Sequence, residues 1–315
     1  MAATLLVLPT TGCLSHTRAV QSVKRPPVVM DATAADLVRR LNAQLDAIET
    51  LTTTVDVVAS VGGGATGQVK EYRPFHGYIV IQKPRDLRVL LQVPVLLSRG
   101  MEMVSNGSSF KMVVPLQSQA MVGKDEVVKA SPKPLDNLRP GIFLDSMLIR
   151  GLQPDELVSL TESSRTIQPE TRKQEAVEEP DYDLTMFRKD AGNMLATVRV
   201  VHFNRITLLP YKQDSYDAKG RLATSASYNG WQRFAYTGAD GKSGEIEFPT
   251  VIDIDRPVDQ YSLKISISKV TANQKLDPDQ FELCIPAGYK VRNMDDPEAA
   301  PFTAPSAPCG TQSPH

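Results

Sequence analysis

Alternating apolar and polar residues, repeated along most of the chain, constrain the fold more than any other feature of the sequence. The pattern is clearest at 53–61, where Val55, Val57 and Ala59 occupy every second position. A period of two residues is typical of a β-strand that buries one face. Further candidate strands lie at 77–81, 87–93, 101–104, 110–114, 182–187, 196–203, 206–211, 222–228, 231–236, 244–248, 251–255 and 263–270. So many short strands with so few helices predict a mainly β (α+β) chain.

Three helices and one long loop are predicted to interrupt the strands. Thr33 followed by Asp36 resembles a capping box, and the apolar stripe after it predicts a helix with one buried face. The stripe consists of Leu37, Leu41, Leu45, Ile48 and Leu51. Pro140 favours the start of a second helix and Pro154 that of a short third one, because proline suits the first helical turn. The polar stretch 161–180 is predicted to be a loop.

Length and composition favour a single domain. The 315 residues are 41% hydrophobic and carry a formal net charge of -1. A sizeable core is therefore possible, and no strong field draws the chain to nucleic acid. Dividing the strands between two domains would leave each with an unpaired sheet edge. The predicted domain spans 31–292, with a flexible tether before it at 14–30 and a disordered, Pro-rich tail after it at 293–315.

The beginning of the sequence is similar to the end of a bacterial lipoprotein leader, because a short apolar run precedes Gly12-Cys13. Such a leader is removed, and the cysteine thiol then carries the lipid, so residues 1–13 are interpreted as a truncated lipoprotein signal. Leaders begin with positive charge, which is lacking before Cys13, and this favours a true start upstream. The alternative is an N-terminus with an incidental cysteine. In an exported protein, Cys284 and Cys309 would be free to pair.

A series of short motifs between residues 32 and 291 resembles the bacterial lipoprotein carrier and receptor proteins, the LolA/LolB-like family. Val55-Asp56-Val57 follows the first helix, and the next segment ends in Lys83-Pro84. The hairpin sequence Val104-Ser105-Asn106-Gly107 comes next, and 276–283 with 286–291 are similar to the family's closing strand. The order of these motifs carries the resemblance. The sequence departs from the family's pattern at Lys83, where carriers commonly have arginine, and in its greater length.

The resemblance implies a single antiparallel incomplete β-barrel, with an N-terminal helix and short helices covering its concave face. In that family the concave side receives acyl chains, and soluble carriers deliver lipoproteins to lipid-anchored receptors. With Cys13 as its anchor, this chain would resemble the receptors, face the periplasm from the outer membrane, and have a periplasmic carrier protein as a candidate partner. The receptors also insert an apolar tip into the membrane. The matching residues are Val95, Leu96 and Leu97, with a buried strand end as the alternative.

The residues expected to line the acyl-chain cavity are apolar and lie on three predicted strands. They are Val55, Val57, Met101, Met103, Phe110 and Met112. Unbranched thioether side chains conform to irregular apolar surfaces, which suits a site for flexible chains. Ordinary core packing is the alternative for each methionine. Each buried methylene contributes about 0.8 kcal/mol, so such a cavity needs no polar motif. It must, however, open far enough to admit hydrocarbon.

No sequence pattern points to covalent chemistry. The glycine-rich stretch 62–67 fits a dinucleotide fingerprint, but the residues after it predict a strand instead of the required helix. His76 and His202 are interpreted as structural, and the acidic runs as solvated, with calcium binding as the alternative. We therefore expect no enzyme activity, cofactor, metal or nucleic-acid partner.

The predicted function is binding of lipid acyl chains or lipoproteins, for lipoprotein reception or transfer at the outer membrane. Acyl chains would enter the barrel as the covering helices move aside, driven by apolar burial alone. The alternative is an envelope scaffold or interaction lipoprotein of the same fold, whose cavity is filled by its own side chains.

Overall fold

The computed structural model describes residues 23–24, 28–63, 67–94, 98–167, 176–239 and 241–305. Most of these residues form one large curved sheet. The strands are β1 (Val23–Lys24), β2 (Thr50–Gly63), β3 (Gln68–Glu71), β4 (Phe75–Gln82), β5 (Asp86–Gln92), β6 (Arg99–Ser105), β7 (Ser109–Val114), β8 (Gln119–Lys124), β9 (Glu156–Ile167), β10 (Ala176–Lys189), β11 (Leu195–Asn204), β12 (Pro210–Tyr216), β13 (Leu222–Asn229), β14 (Gln232–Thr237), β15 (Ser243–Phe248), β16 (Val251–Arg256), β17 (Tyr261–Ala272), β18 (Lys290–Asn293) and β19 (Phe302–Thr303).

The sheet does not close on itself. Among the described residues, neighbouring strands follow the order β9-β10-β11-β12-β13-β16-β17-β2-β4-β5-β6-β7-β8-β18-β19. The short strand β3 pairs with the end of β2, and β1 pairs with the start of β10. Pairing is antiparallel except between β1 and β10 and between β8 and β18. No pairing joins the edge strands β9 and β19 in this part of the chain. The predicted mainly β fold, an incomplete antiparallel barrel, is confirmed.

Helix α1 (Ala34–Asp46) begins with the predicted capping box. The Thr33 hydroxyl accepts a hydrogen bond from the N–H of Asp36 at 3.2 Å, and the Asp36 carboxylate accepts one from the N–H of Thr33 at 3.0 Å. These bonds pair N–H groups that a helix start otherwise leaves free. Leu37 and Leu41 are fully buried and join the core of the sheet. Each contributes about 1.5–3 kcal/mol through this burial.

Three elements cover the core side of the sheet: α1, α2 (Pro140–Met147) and the β14–β15 hairpin. Because successive strand residues point to opposite faces, alternate residues of the long strands reach this side and form one apolar core with the covering elements. Helix α2 starts at Pro140 as predicted and contacts both β6 and β16, which lie far apart in the sheet. Neither of the two described helices is long and apolar enough to cross a membrane.

The predictions for 154–180 were wrong, because strands β9 and β10 occupy most of this stretch. Pro154 lies in a turn instead of opening a helix, and β9 begins two residues later. Across the two strands Arg165 and Glu179 form an ion pair at 2.6 Å. Cross-strand pairs of this kind stabilise strands whose outward side chains are polar. Strand prediction depends on apolar alternation, which this polar stretch lacks. The sequence pattern therefore indicated a loop where the structure has two paired strands.

The ordered domain extends beyond the predicted boundary at residue 292. The chain after β17 crosses the outer face of β6–β8, where it forms a second apolar cluster. The cluster consists of Val104, Val113, Ala120, Leu283, Val291 and Ala304. Met294 is only 2% exposed, and β19 pairs with β18. Residues 293–305 are therefore packed on the domain instead of forming a disordered tail, while 306–315 lie outside the described residues. Cys284 is disulfide-bonded.

Candidate functional site

The structure brings the six predicted cavity residues onto the core side of the sheet. Val55 and Val57 lie on β2, Met101 and Met103 on β6, and Phe110 and Met112 on β7. All but Met101 are buried in the main core, and Met101 packs against it half-buried. Met103 and Met112 are direct cross-strand partners. Period-two alternation therefore placed these side chains on the correct face.

Two other predicted sites cannot be placed on this framework. The lipidation residue Cys13 and the tip residues Val95, Leu96 and Leu97 lie outside the described residues. The strands on either side of the tip are described: β5 ends at Gln92 and β6 begins at Arg99.

The interior is closed at the seam where the three covering elements meet. The void there measures about 10 Å³, which is room for about one water molecule. Ligand pockets for small molecules are typically about 300–1,000 Å³. Leu45 and Ile48 from the α1 side, Leu148 after α2, and Trp231 and Phe248 of the hairpin are among the residues that line the void. An acyl chain can enter at this seam only if a covering element moves.

Helix α2 and the chain after it are tied firmly to the sheet. The Arg199 guanidinium on β11 donates to the backbone carbonyls of Arg150 at 2.5 Å and Gly151 at 2.9 Å. The Gln213 side chain on β12 donates to the carbonyl of Asp145 at 3.0 Å. Arg199 and Gln213 are only 5% and 4% exposed. These bonds are shielded from water, so separating α2 from the sheet would leave buried polar groups unpaired.

The β14–β15 hairpin is attached to the sheet by a narrow stalk, and its far end is bonded to the chain after β17 through Ala239 N–H to the Asn273 carbonyl at 3.0 Å and the Gln274 amide to the Thr237 carbonyl at 2.7 Å. The chain leaves the sheet after the cross-strand pair Asn229–Val251 and returns at the same point. Gly230 in the stalk has φ +65°, and a Cβ atom there would lie 2.2 Å from the Thr250 hydroxyl oxygen. Only glycine satisfies both the positive φ and this close approach. Asn229-Gly230 ends β13 before the hairpin, and Pro249 follows β15 after it. These turn-forming residues are the sequence signal by which the stalk can be recognised.

The hairpin is held against α1 by polar contacts at the surface and by apolar contacts below. Arg40 lies 3.1 Å from the Glu247 carboxylate, and the Gln44 amide donates to the Glu247 carbonyl at 2.9 Å. The side chains of Arg40 and Glu247 are 39% and 32% exposed, and exposed ion pairs contribute about 0–1 kcal/mol. Ile246 and Phe248 are buried in the main core. Trp231, Phe234 and Tyr236 pack against the same core, so the hairpin depends mainly on its apolar side chains to stay closed.

On the outer face of the sheet, His202 lies between two carboxylates. Its Nδ1 is 2.6 Å from an Asp183 oxygen, and its Nε2 is 3.4 Å from an Asp214 oxygen. Burial alone would lower the pKa of His202, but the attraction of Asp214 and Asp183 outweighs it and raises the pKa. Burial would raise the pKa of Asp214, but His202 and Lys212 lower it to about 2. The part of the chain that the structure describes holds no group of three His, Cys, Asp or Glu residues suited to a metal ion.

We expect the contribution of this cluster to folding to be largest between about pH 4 and 6.5. His202, whose pKa is raised, contributes fully below its unfolded pKa and loses the contribution as pH rises through its folded pKa. Asp214, whose pKa is lowered, loses its contribution as pH falls towards about 2. His202→Gln should therefore flatten the loss of stability above pH 6.5, measured by urea unfolding at several pH values. His76→Gln, at a histidine with a 46% exposed side chain, is the control. An unchanged slope in His202→Gln would refute the prediction.

Comparisons with known proteins concern the fold. No family model matches the chain, and the curated proteins include no significant match. Among similar solved structures, a DUF1329 family protein from Desulfovibrio piger is 18% identical and covers 79% of this chain and 95% of its own, with a TM-score of 0.47. A LolA superfamily protein from Nitrosomonas europaea is 14% identical and covers 80% and 99%, with a TM-score of 0.47. A domain assigned to outer membrane lipoprotein sorting, from Vibrio parahaemolyticus, is 10% identical and covers 79% and 94%, with a TM-score of 0.45.

Among these similar structures, one is named as a LolA superfamily protein and one as a DUF1329 family protein. Their sequences are too distant for the role of any residue to be carried over to this chain. The candidate site is therefore defined by its own geometry: the apolar core side of an open curved sheet, covered by two helices and a hairpin on a narrow stalk.

Proposed function

We propose that this chain is a lipid-anchored envelope protein that binds lipid acyl chains or lipoproteins on the core side of its sheet, for lipoprotein reception or transfer at the outer membrane. One observation carries the proposal: within the described residues, the apolar face of the open sheet is covered by separate elements, and no further strands close the sheet into a barrel over it. Covering elements can part from the sheet without breaking its ladder of hydrogen bonds. A closed barrel has no such freedom.

The proposed mechanism is passive and needs no covalent chemistry. An acyl chain that enters the core side replaces contacts between the covering elements and the sheet. Each methylene group that it buries contributes about 0.8 kcal/mol. The net driving force is the difference in apolar burial between the loaded and the closed protein. Beyond the seam, the acyl chain would contact the predicted cavity residues on β2, β6 and β7. Of these, Met103 and Met112 have the most adaptable side chains.

The membrane and a periplasmic carrier protein are the proposed partners. Cys13 would hold the protein to the outer membrane by its lipid, facing the periplasm, and Val95, Leu96 and Leu97 would insert as the tip that passes lipid to the bilayer. Both features lie at positions with suitable residue chemistry in the sequence.

A second candidate is an envelope scaffold or interaction lipoprotein that carries no cargo. The observation in its favour is the filled seam, whose void of about 10 Å³ holds no hydrocarbon. In that case the covering elements would remain closed at all times, and the fold would serve as a rigid platform. The two functions differ in whether the interior ever exchanges with free lipid.

Titration with a fluorescent fatty acid separates the two functions. Protein purified without detergent should enhance the fluorescence of the probe saturably, and added stearic acid should displace it. Urea-unfolded protein is the control for adsorption to exposed apolar residues. Failure of the folded protein to bind the probe, at concentrations below the onset of micelles, would support the scaffold and reject cargo binding.

The anchoring proposal is tested by fractionation. When the gene is expressed with its natural upstream sequence, wild-type protein should sediment with membranes, and Cys13→Ala should appear in the soluble periplasmic fraction, because one lost acyl anchor removes most of the membrane affinity. Ser15→Ala, two residues away, is the matched control and should stay with the membranes. Membrane-bound Cys13→Ala would contradict a lipid on this residue.

A further inference from the structure

We propose that the acyl chain is held at the seam beneath the β14–β15 hairpin, and that the Tyr228 hydroxyl donates a hydrogen bond to the oxygen at its polar end. The inference rests on the proposed function and specifies where on the core side the ligand lies. It also assigns the chemical class of the ligand, a hydrocarbon chain that carries a carboxyl or ester oxygen.

Tyr228 combines deep burial with a hydroxyl group that has no partner. Its side chain lines the void at the seam and is 2% exposed, and its hydroxyl oxygen makes no hydrogen bond among the described residues. Burial raises the pKa of this phenol, so the group keeps its proton and remains a donor. Buried hydroxyls nearly always have a partner, so one without a partner at the edge of an apolar site is available to donate to a ligand atom.

The surroundings of Tyr228 favour a ligand with a polar end. Its ring lies 6.2 Å from the ring of Trp231, centroid to centroid, and Phe248 and Leu148 line the same void. These side chains offer apolar contacts to hydrocarbon. A donor without a partner among mainly apolar side chains suits a site that orients a mainly apolar ligand.

The hairpin is the covering element best suited to move. It leaves and rejoins the sheet at one point, with Gly230 at positive φ on one side and Pro249 on the other. Its contacts to α1, and those of its far end to Asn273 and Gln274, are partly exposed, whereas α2 is held by the buried Arg199 and Gln213. Local opening draws on the segments with the fewest buried contacts. Rotation about the stalk would uncover the seam and leave the large sheet intact.

Opening and loading would exchange one set of apolar contacts for another. Ile246 and Phe248 of the hairpin now fill the interior, at 2% and 1% exposure. When they withdraw, an entering chain covers the apolar surface that they leave, so the free-energy difference between the closed and the loaded state stays small. A small difference suits a protein that must accept cargo and release it again.

Trp231 makes the proposal testable, because it is the only tryptophan in the sequence and lines the seam. Its indole N–H donates to the Pro210 carbonyl at 3.0 Å, which fixes the ring at the base of the hairpin. Bromine atoms quench tryptophan fluorescence only at contact distance. Dibromostearic acid therefore reports whether an acyl chain lies beside Trp231, and stearic acid is the matched unbrominated control.

We expect dibromostearic acid to quench Trp231 saturably, while stearic acid binds without comparable quenching and competes with the brominated chain. If the fluorescent fatty acid binds and dibromostearic acid displaces it without quenching Trp231, the chain lies elsewhere and the seam assignment is wrong, although the proposed function stands. If neither fatty acid binds at all, the proposed function itself fails. The two failures are thus distinguishable.

The polar contact is tested by Tyr228→Phe against Tyr261→Phe. Tyr261 is a second tyrosine at 2% exposure whose hydroxyl lacks a hydrogen bond among the described residues, and it does not line the seam. Loss of one hydrogen bond to the ligand should weaken stearic acid binding about three- to tenfold in Tyr228→Phe. Binding should be unchanged in Tyr261→Phe. Equal affinity of Tyr228→Phe and wild type would overturn the assignment of the hydroxyl.

Discussion

Replacement of Arg199 by alanine is expected to lower the free energy of unfolding by about 3–5 kcal/mol, because it breaks a buried ion pair and removes two buried hydrogen bonds. The guanidinium donates to two backbone carbonyls and lies 3.4 Å from the Glu156 carboxylate. Both side chains are almost fully buried, at 7% and 5% exposure. Burial lowers the pKa of Arg199, and Glu156 opposes this shift. Without the arginine, the Arg150 and Gly151 carbonyls each lose a buried donor. Among the described residues, the Glu156 carboxylate then keeps only the Gln153 N–H and the half-exposed Arg188.

The control for this substitution uses the same carboxylate. Arg188 lies 3.3 Å from Glu156, but its side chain is 47% exposed. Arg188→Ala should therefore change the free energy of unfolding by less than about 1 kcal/mol. Urea unfolding followed by circular dichroism measures both variants. If Arg188→Ala and Arg199→Ala lose the same amount, burial does not decide the strength of these contacts and the anchoring of the chain after α2 is misassigned.

Replacement of Phe248 by alanine should cost about 3–5 kcal/mol and open a cavity at the seam. Phe248 is 1% exposed and lines the existing void, so the removed ring leaves space that the surrounding strands can fill only in part. An apolar cavity of this kind stays dry and binds small apolar molecules. Benzene should therefore raise the melting temperature of Phe248→Ala more than that of wild type.

Phe234→Ala provides the comparison within the same hairpin. Phe234 is the cross-strand partner of Ile246 and is half-buried against the core. Its loss should cost less than that of Phe248, and benzene should have no added effect. A small cost for Phe248→Ala, with no response to benzene, would show that the hairpin is not docked on the core as described.

The fold was predictable to the extent that local patterns decide it. The capping box of Thr33 and Asp36, the proline start of α2 and the alternation in β2 depend on neighbouring residues, and all three are present in the structure. The β9–β10 pair and the packing of residues 293–305 depend on partners elsewhere in the sheet. Arg165 and Glu179 stabilise their strands only once these lie side by side. Contacts between distant residues produce no periodic pattern of apolar residues in the sequence, so they could not be predicted from it.

The sequence predicted which side chains face the candidate site, but it did not predict how much empty volume the site has. Alternation placed Val55, Met103 and Met112 on the core side, where the structure has them. Whether that side is empty depends on how completely α1, α2 and the hairpin fill it, and this is a sum over many side chains from distant parts of the chain. The expected open hollow is closed at the seam for this reason. The hairpin itself was predicted as two strands of the main sheet, although it forms a sheet of its own.

The most direct test of the account measures lipid in the folded protein. Cys13→Ala protein, which carries no covalent lipid, would be purified without detergent, incubated with stearic acid, separated from free lipid and extracted with organic solvent for mass spectrometry. Reversible acyl-chain binding predicts stoichiometric fatty acid in the extract, together with any lipid acquired in the cell. Extracts free of lipid before and after incubation would contradict it and leave the scaffold as the function of this fold.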